Sequence, residues 1–250
     1  TLVDDTLLDD SVANIAASIF IDSEEVMVAW AELSTGMLKA RSLPSASALG
    51  EIVRLGPSEI IYPDSMDEDH PILLVLRESL NTTTTSRPDW TFAPREVVEA
   101  LKRQYQVATL ESWSLEDDGS GLARAAGSLV RFLMDTQSAE GKPLSHLQPP
   151  QRIIDHSMMT IDAATMRSLE IERTVRSGNS EGSLLSTLQR CRTPMGRRCL
   201  RQWLCYPLQD LNAIQSRQNA VAALLADEAL RADLADTIDP IQDVARIIGR

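Results

Sequence analysis

NIAASIFIDSEEVMVAWAELSTGMLKARSLP, residues 14–44, decides the fold class of the first half of the chain. Asn14–Ile21 is apolar and partly β-branched. Asp22–Glu25 supplies a polar turn. Val26–Leu33 then alternates, with Val26, Val28 and Trp30 on one side and Met27, Ala29 and Ala31 on the other. A period of two is the signature of a strand. Ser34-Thr35-Gly36 turns the chain again into Met37–Leu43, so the stretch predicts a three-stranded antiparallel meander.

Beyond Pro44 the period lengthens. Ala46–Leu55 carries Leu49, Ile52 and Val53 at helical spacing and is stopped by Gly56-Pro57. Glu59–Tyr62 is a short apolar strand closed by Pro63-Asp64, so a strand–helix–strand unit follows the meander. Pro71–Leu80 is expected to be a helix and Asn81–Arg87, with four consecutive threonines, a loop or short extended segment. Pro94 opens a helix to Tyr105, because proline loses nothing at a first-turn position. Leu122–Gln137 places Leu122, Ala125, Ala126, Leu129, Phe132 and Leu133 on one helical face. Ser138–Pro150 holds one glycine and three prolines and reads as a linker.

After it the pattern becomes helical: Ala163–Val175, Leu184–Arg190, Pro194–Cys205, Leu211–Ala226, Glu228–Asp236 and Ile241–Ile248, with a possible short strand at Met158–Ile161. The fold class expected is α/β followed by an all-α unit. Charge divides the same way. Residues 1–150 hold 24 acidic and 11 basic residues, and residues 151–250 hold 12 and 13, within a total net charge of −12. That balance excludes a broad phosphate-binding surface, which needs clustered Lys and Arg. No run of about 18 apolar residues occurs, so no membrane-spanning helix is expected. The opening TLVDDTLLDD is too acidic for a secretory signal. Cys191, Cys199 and Cys205 have no zinc-site spacing and read as free, packing thiols. His70, His146 and His156 are isolated and read as surface or loop residues.

TPMGRRCLRQWLCYPL, residues 193–208, is the one compact basic stretch. Thr193 can cap the helix that Pro194 opens. Met195, Cys199, Leu200, Trp203 and Leu204 form an apolar stripe, with Arg197 and Arg201 on the opposite side. Gly196 costs about 1 kcal/mol of helix propensity, which makes sense if another backbone approaches there.

These residues also carry a resemblance. Ile161-Asp162-Ala163-Ala164-Thr165, Leu169-Glu170-Ile171, Ser183-Leu184-Leu185, Thr193–Arg197, Trp203-Leu204, Pro207-Leu208 and Arg217-Gln218-Asn219-Ala220-Val221 resemble, in order, the start of the core domain of the DNA mismatch-repair MutS family. Ala48–Tyr62, behind a strand meander, is similar to that family's connector domain. The resemblance implies a ribonuclease H-like connector over 11–140, a linker over 141–157 and the truncated start of a helical core over 158–250. Residues 1–10 would be a linker from an N-terminal mismatch-recognition domain. Arg250 stops within a helical pattern, so the chain is expected to be an internal piece of a longer protein.

The resemblance further implies a DNA-dependent ATPase, cytoplasmic and nucleoid-associated. It would be a homodimer whose partners are mismatched duplex DNA and MutL. ATP and Mg would bind in the ATPase domain and no cofactor in this chain. No Phe-x-Glu motif of the mismatch-reading domain is present, and Gly141-Lys142 is followed by Pro143 rather than the Ser or Thr of a phosphate loop. Neither enzyme activity nor mismatch reading is therefore expected of these residues. Glu96, Glu99, Lys102 and Arg103 are the candidate MutL-facing residues. Arg192, Arg197, Arg198 and Arg201 are candidates for inter-domain or phosphate contacts, with Arg190 beside them. Thr193, Pro194, Gly196 and Trp203 are structural. A ribonuclease H-like nuclease would need clustered carboxylates. Asp22 lies in a hairpin turn and Glu32 stands without a second acid at a strand end, so they read as surface acids. A MutS-related protein acting in recombination is the alternative reading.

Overall fold

The structure, a computed structural model, describes residues 14–80, 82–110, 113, 115, 120–137, 143–153, 158–159, 161–244 and 247. The expected linker over 1–10, His156 and the last residues of the expected C-terminal helix lie outside them. The chain forms two compact units.

The first unit is a six-stranded sheet with helices on both faces. In chain order it contains β1 (Ile15–Asp22), β2 (Glu25–Glu32), β3 (Met37–Pro44), α1 (Ser45–Leu55), β4 (Glu59–Pro63), α2 (Pro71–Leu80), β5 (Thr83–Arg87), a 3-10 turn at Asp89–Phe92, α3 (Pro94–Tyr105), α4 (Gly121–Gln137) and β6 (Gln151–Arg152). The strand order is β5-β4-β1-β2-β3-β6. β1, β2 and β3 are antiparallel neighbours; β4 runs parallel to β1, β5 to β4 and β6 to β3. An antiparallel meander extended by parallel crossover strands on the β1 side is the ribonuclease H-like arrangement. Of the threonine-rich segment Asn81–Arg87, expected as a loop or short extended segment, Thr83–Arg87 is the sheet's edge strand.

The alternation in β2 has a different meaning from a buried and a wet face. Both sets are buried. Val26, Val28 and Trp30 join Ile15, Ala17 and Ile19 against α1 and α2. Met27, Ala29 and Ala31 join Ala16, Leu38 and Ala40 against α3 and α4. The second set is small, and that allows α4 to lie close. Ser18 and Ser128 hydrogen bond across the contact at 2.8 Å, so each hydroxyl is satisfied although fully buried. In α1, Val53 is only half-buried, whereas Glu51 and Arg54 are buried as an ion pair that Arg41 joins at 3.2 Å. Burial of two charges is tolerable because they neutralise each other.

Pro143–Ile153, marked by its prolines as linker, is instead part of this unit. Leu144 and Leu147 are in the core. Gln104 exchanges two hydrogen bonds with the Leu144 backbone at 2.7 and 2.8 Å, and β6 extends the sheet beside β3. The backbone N–H of Gln148 donates to the carbonyl oxygen of Gly36 at 2.7 Å.

The second unit is helical: α5 (Ala163–Ser168), α6 (Leu184–Leu188), α7 (Pro194–Cys205), α8 (Leu211–Ala226) and α9 (Glu228–Ile238). Each begins behind a side-chain cap: Asp162, Ser183, Thr193, Asp210 and Asp227 accept from Thr165, Ser186, Gly196, Ala213 and Leu230 N–H groups. The helix expected over Ala163–Val175 ends at Ser168. Glu170 turns to φ +49° and its carboxylate takes the Val175 N–H at 2.6 Å, a local turn that replaces the helical ladder. The helix expected to reach Arg190 stops at Leu188. Met158 makes only an isolated antiparallel bridge to Leu208. Of the expected Ile241–Ile248 helix, Val244 and Ile247 are helical among the described residues. Met166, Ile171 and Cys205 are buried with Ile161, Leu204 and Tyr206 around them.

Candidate functional site

The sequence pointed to two surfaces, one in each unit. The first is the outer side of α3. Pro94 occupies its first turn, Val97, Val98 and Leu101 anchor it to the sheet core, and Gln106 ends it in a left-handed conformation at φ 54°. Glu99 and Arg103 are exposed, and neither has an ion-pair partner among the described residues. Lys102 is half-buried. Glu96, expected to face outward freely, is instead engaged: it accepts from the Arg131 guanidinium of α4 at 2.6 Å. Arg131 in turn lies 4.4 Å over the ring of Trp90, which is 53% exposed. Arg87 pairs with Asp135 at 3.0 Å and covers Phe132. A cleft of about 300 Å³ between α3 and α4 is lined by Glu96, Glu99, Ala100, Arg103, Arg131, Met134 and Asp135. Sequence reasoning missed Trp90, Arg131 and Asp135. Trp90 lies in the turn 4 residues before α3, while Arg131 and Asp135 are 26 and 30 residues beyond its end and reach it only through the α3–α4 packing.

What sets that packing is Gly127. A Cβ there would stand 2.5 Å from Val97 Cβ and 2.6 Å from its carbonyl oxygen. The glycine lets two helix backbones approach more closely than any side chain allows.

The second surface is α7. Thr193 Oγ1 accepts from the Gly196 N–H at 3.1 Å, as its sequence position suggests. Gly196 meets no foreign backbone, however. Its nearest neighbours are the side chains of Thr193 and Cys191 at 3.1 and 3.2 Å. The apolar stripe is also corrected. Cys199 is exposed and Trp203 is 44% exposed beneath the Arg217 guanidinium, while Cys205 is the fully buried residue of the helix. The basic residues meet acids of the same unit. Arg198 makes a fork of two bonds, 2.6 and 2.9 Å, to Asp243. Arg201 donates to Glu172 at 2.5 Å. Burial, the largest single influence, would lower the Arg201 pKa; the charge and hydrogen bond of Glu172 together with the charges of Cys205 and Tyr206 outweigh it and raise it. Arg192 reaches Asp236 at 3.3 Å and Asp239 at 3.8 Å. Arg190 donates to the neighbouring Gln189 carbonyl. Arg197, half-buried, has no ion-pair partner among the described residues.

Asp22 and Glu32 lie at opposite ends of the β1–β2 hairpin, where Asp22 pairs with Glu25 and Glu32 with Ile15. Seven residues of strand separate those ends by about 24 Å, so they cannot share a metal ion. Among the described residues no three His, Cys, Asp or Glu side chains gather as a metal site, and no helix is long and apolar enough to cross a membrane. Lys39 is held below the usual lysine range by burial, partly opposed by the Glu32 carboxylate.

Comparison with known proteins decides the family. The MutS domain II profile matches residues 13–148, more than half of the chain, and the MutS domain III profile matches residues 164–250. The chain belongs to the MutS family. Relatives described as DNA mismatch repair protein MutS align over all of it. The protein of Rhodopirellula baltica is 34% identical over 270 residues, that of Synechocystis sp. 36% over 260 and that of Alkaliphilus oremlandii 31% over 258. The chain spans 29% of the length of each of these relatives. The sheet unit with its α3 face thus corresponds to MutS domain II, and the helical unit with its arginine row to the matched part of MutS domain III.

Proposed function

We propose that these residues form the connector and the start of the core of a DNA mismatch-repair ATPase, and that the α3 face is where MutL docks. The reading rests on one observation: domains II and III of a single repair family match in order along the chain. In this role the sheet unit holds mismatch recognition and ATP hydrolysis, both carried by other domains, in a fixed mechanical relation. The full protein would act as a homodimer on mismatched duplex DNA in the cytoplasm, at the nucleoid. ATP and Mg would bind outside these residues.

Glu99 and Arg103 carry the docking proposal because they are exposed, opposite in sign and unpaired among the described residues. Charges at the rim of an interface mainly steer association and respond to salt. Reversing both, Glu99→Arg with Arg103→Glu, in the full-length protein should slow MutL capture on mismatched DNA with ATP. The slowing should shrink at high salt, with mismatch binding intact. Unchanged capture at low and high salt would refute α3 as the docking face. The arginine row is proposed as an intramolecular tie, since Arg192, Arg198 and Arg201 are already matched by acids. Only Arg190 and Arg197 remain for phosphate. The 250-residue chain alone should therefore bind duplex DNA weakly and without mismatch preference, and hydrolyse no ATP. Salt-resistant, mismatch-selective binding by it would overturn this division of roles.

A further inference from the structure

We propose that residues 143–153 are a coupling strap between the two units, and that Gln104 is the positioning residue that keeps the strap docked. The strap is the last stretch of the sheet unit, and the helical unit follows directly after it. The place where it is bound therefore fixes where the chain leaves the sheet.

Three anchors hold it. Gln104, 5% exposed, donates from Nε2 to the Leu144 carbonyl at 2.7 Å and accepts from the Leu144 N–H at 2.8 Å. Its amide does for Leu144 what a neighbouring strand would. Gln148 donates its N–H to the Gly36 carbonyl at 2.7 Å and its Nε2 to the Thr35 carbonyl at 3.2 Å, and its own carbonyl accepts from the Tyr105 hydroxyl at 2.7 Å. Gln151 and Arg152 pair with Lys39 and Ala40, and the Ile153 N–H donates to the Ala40 carbonyl at 2.8 Å. The strap thus grips α3, the β2–β3 turn and β3.

This grip is mainly polar. Leu144, Leu147 and Pro150 are its buried apolar side chains. Against them stands the conformational entropy of eleven ordered residues, which is of the same order as what three buried side chains and these hydrogen bonds return. Pro143, Pro149 and Pro150 lower that cost by stiffening the undocked segment, which is why a proline-rich stretch can dock at all. The balance is close, so loss of one anchor shifts it. Released, the strap would lengthen the tether between the units by up to about 36 Å. Docked, none of that length is free, and a movement of one unit reaches the other.

The test has two arms. In the 250-residue chain, Gln104→Met removes both bonds to Leu144 at similar volume. Amides of Leu144, Gln148 and Ile153 should then exchange about 10- to 100-fold faster together, with β1 and β2 amides unchanged. Tyr105→Phe removes one bond and should speed the same amides about fivefold, which keeps the test valid if Gln104→Met does not fold. Acceleration at Leu144 alone, or shared equally by β1 and β2, would overturn the strap as a unit. The second arm rests on the reading of the parent as a mismatch-repair ATPase. In the full-length protein, Gln104→Met should lose most of the mismatch-dependent change in ATP turnover, while turnover without DNA and affinity for mismatched DNA stay as they were. A disulfide between Lys39→Cys and Gln151→Cys, closed by oxidised glutathione, should restore that response in the Gln104→Met background and lose it again on reduction. Neighbouring strands stand about 4.8 Å apart, within the Cα span a disulfide needs. An intact response in Gln104→Met, or none regained by the disulfide, would overturn the coupling role and leave the ATPase reading standing. A parent without any mismatch-dependent turnover would overturn that reading and the coupling role with it.

Discussion

Replacing Gly127 by alanine tests the contact that builds the α3 face. By helix propensity alone the change should stabilise α4 by about 1 kcal/mol. The structure predicts the opposite sign. The new methyl would stand 2.5 Å from Val97 Cβ, 2.6 Å from its carbonyl oxygen and 2.8 Å from its Cα. Ordinary contact between such atoms is about 3.5–4.0 Å, so about 1 Å must be recovered. Two of the three atoms are backbone, and no rotamer change can move them. α3 must shift as a body, yet Val97, Val98 and Leu101 on the same helix are locked in the core at 0 to 7% exposure. Overpacking of this kind costs about 1–3 kcal/mol, more when backbone must move. The propensity gain offsets part of it, leaving a net loss of about 1–2 kcal/mol, or roughly 4–8 °C in the melting of the sheet unit.

Gly121→Ala is the matched control. Its nearest neighbours are the Sδ, Cγ and Cε atoms of Met27, and a thioether side chain can swing aside, so that variant should stay within about 1 kcal/mol of the parent. Circular dichroism melts, with hydrogen exchange of the β1–β3 amides to assign the transition, read both variants. A Gly127→Ala protein as stable as the parent, or more so, would show that helix approach at Val97 is not the constraint, and the cleft between α3 and α4 would lose its structural cause.

Gly36 sits at φ +70° with the His146 carbonyl oxygen where a Cβ would be. Gly36→Ala should therefore cost about 2 kcal/mol and speed limited proteolysis within residues 143–153, which the docked segment should resist in the parent; an unchanged cleavage pattern would count against the docked segment. Burial holds the His146 pKa below its ordinary 6.5, so the unfolded chain takes up the proton first. Stability is lost as pH falls through about 6.5 toward the lower folded value and is flat below it; His146→Gln should flatten that part of a melting-versus-pH profile, and parallel profiles from pH 7 to 5 would refute it. In the 250-residue chain, amides of α8 and α9 should exchange far faster than those of β1–β3, because neither helix has a buried residue; equal protection would exclude this.

How much was legible depended on whether the signal was local. The meander, α3, α7 and α8 could be read because period, proline position and caps lie within a few residues of each other. The same locality explains the errors. LEIERTV, residues 169–175, keeps a helical look, but the Glu170 side chain offers the Val175 N–H an alternative partner and the turn prevails. Proline content suggested a linker at 138–150 because composition cannot show that Leu144 has a core site and that Gln104, forty residues earlier, holds its backbone. Nothing local in the sequence marks Gly127, because its role needs Val97 opposite it. Gly196 looked like a close-approach site and is not one. Equivalent glycines differ only in what lies across from them.

The candidate surfaces follow the same division. Exposed charges on α3 were readable from its helical phase, but the Glu96–Arg131–Trp90 chain joins three elements and 42 residues of sequence. The arginine row on α7 was readable as basic, yet its meaning came from Glu172, Asp236 and Asp243. Basic composition alone favours phosphate; an acid 2.5 to 3.3 Å from each of three guanidinium groups favours an internal tie, because a paired arginine must first be released before it can meet DNA. The exposed large apolar side chains on α8 and α9, from Leu234 at 40% exposure to Leu225 at 70%, make the complementary point. These helices are started by Asp210 and Asp227 rather than held by a core. Caps specify where a helix begins but contribute only about 1 kcal/mol each, whereas burial of one leucine contributes about 2. In the sheet unit both kinds of information agree, residue by residue. In α8 and α9 only the local kind is satisfied among the described residues, so these two helices are well defined by sequence and weakly fixed by packing.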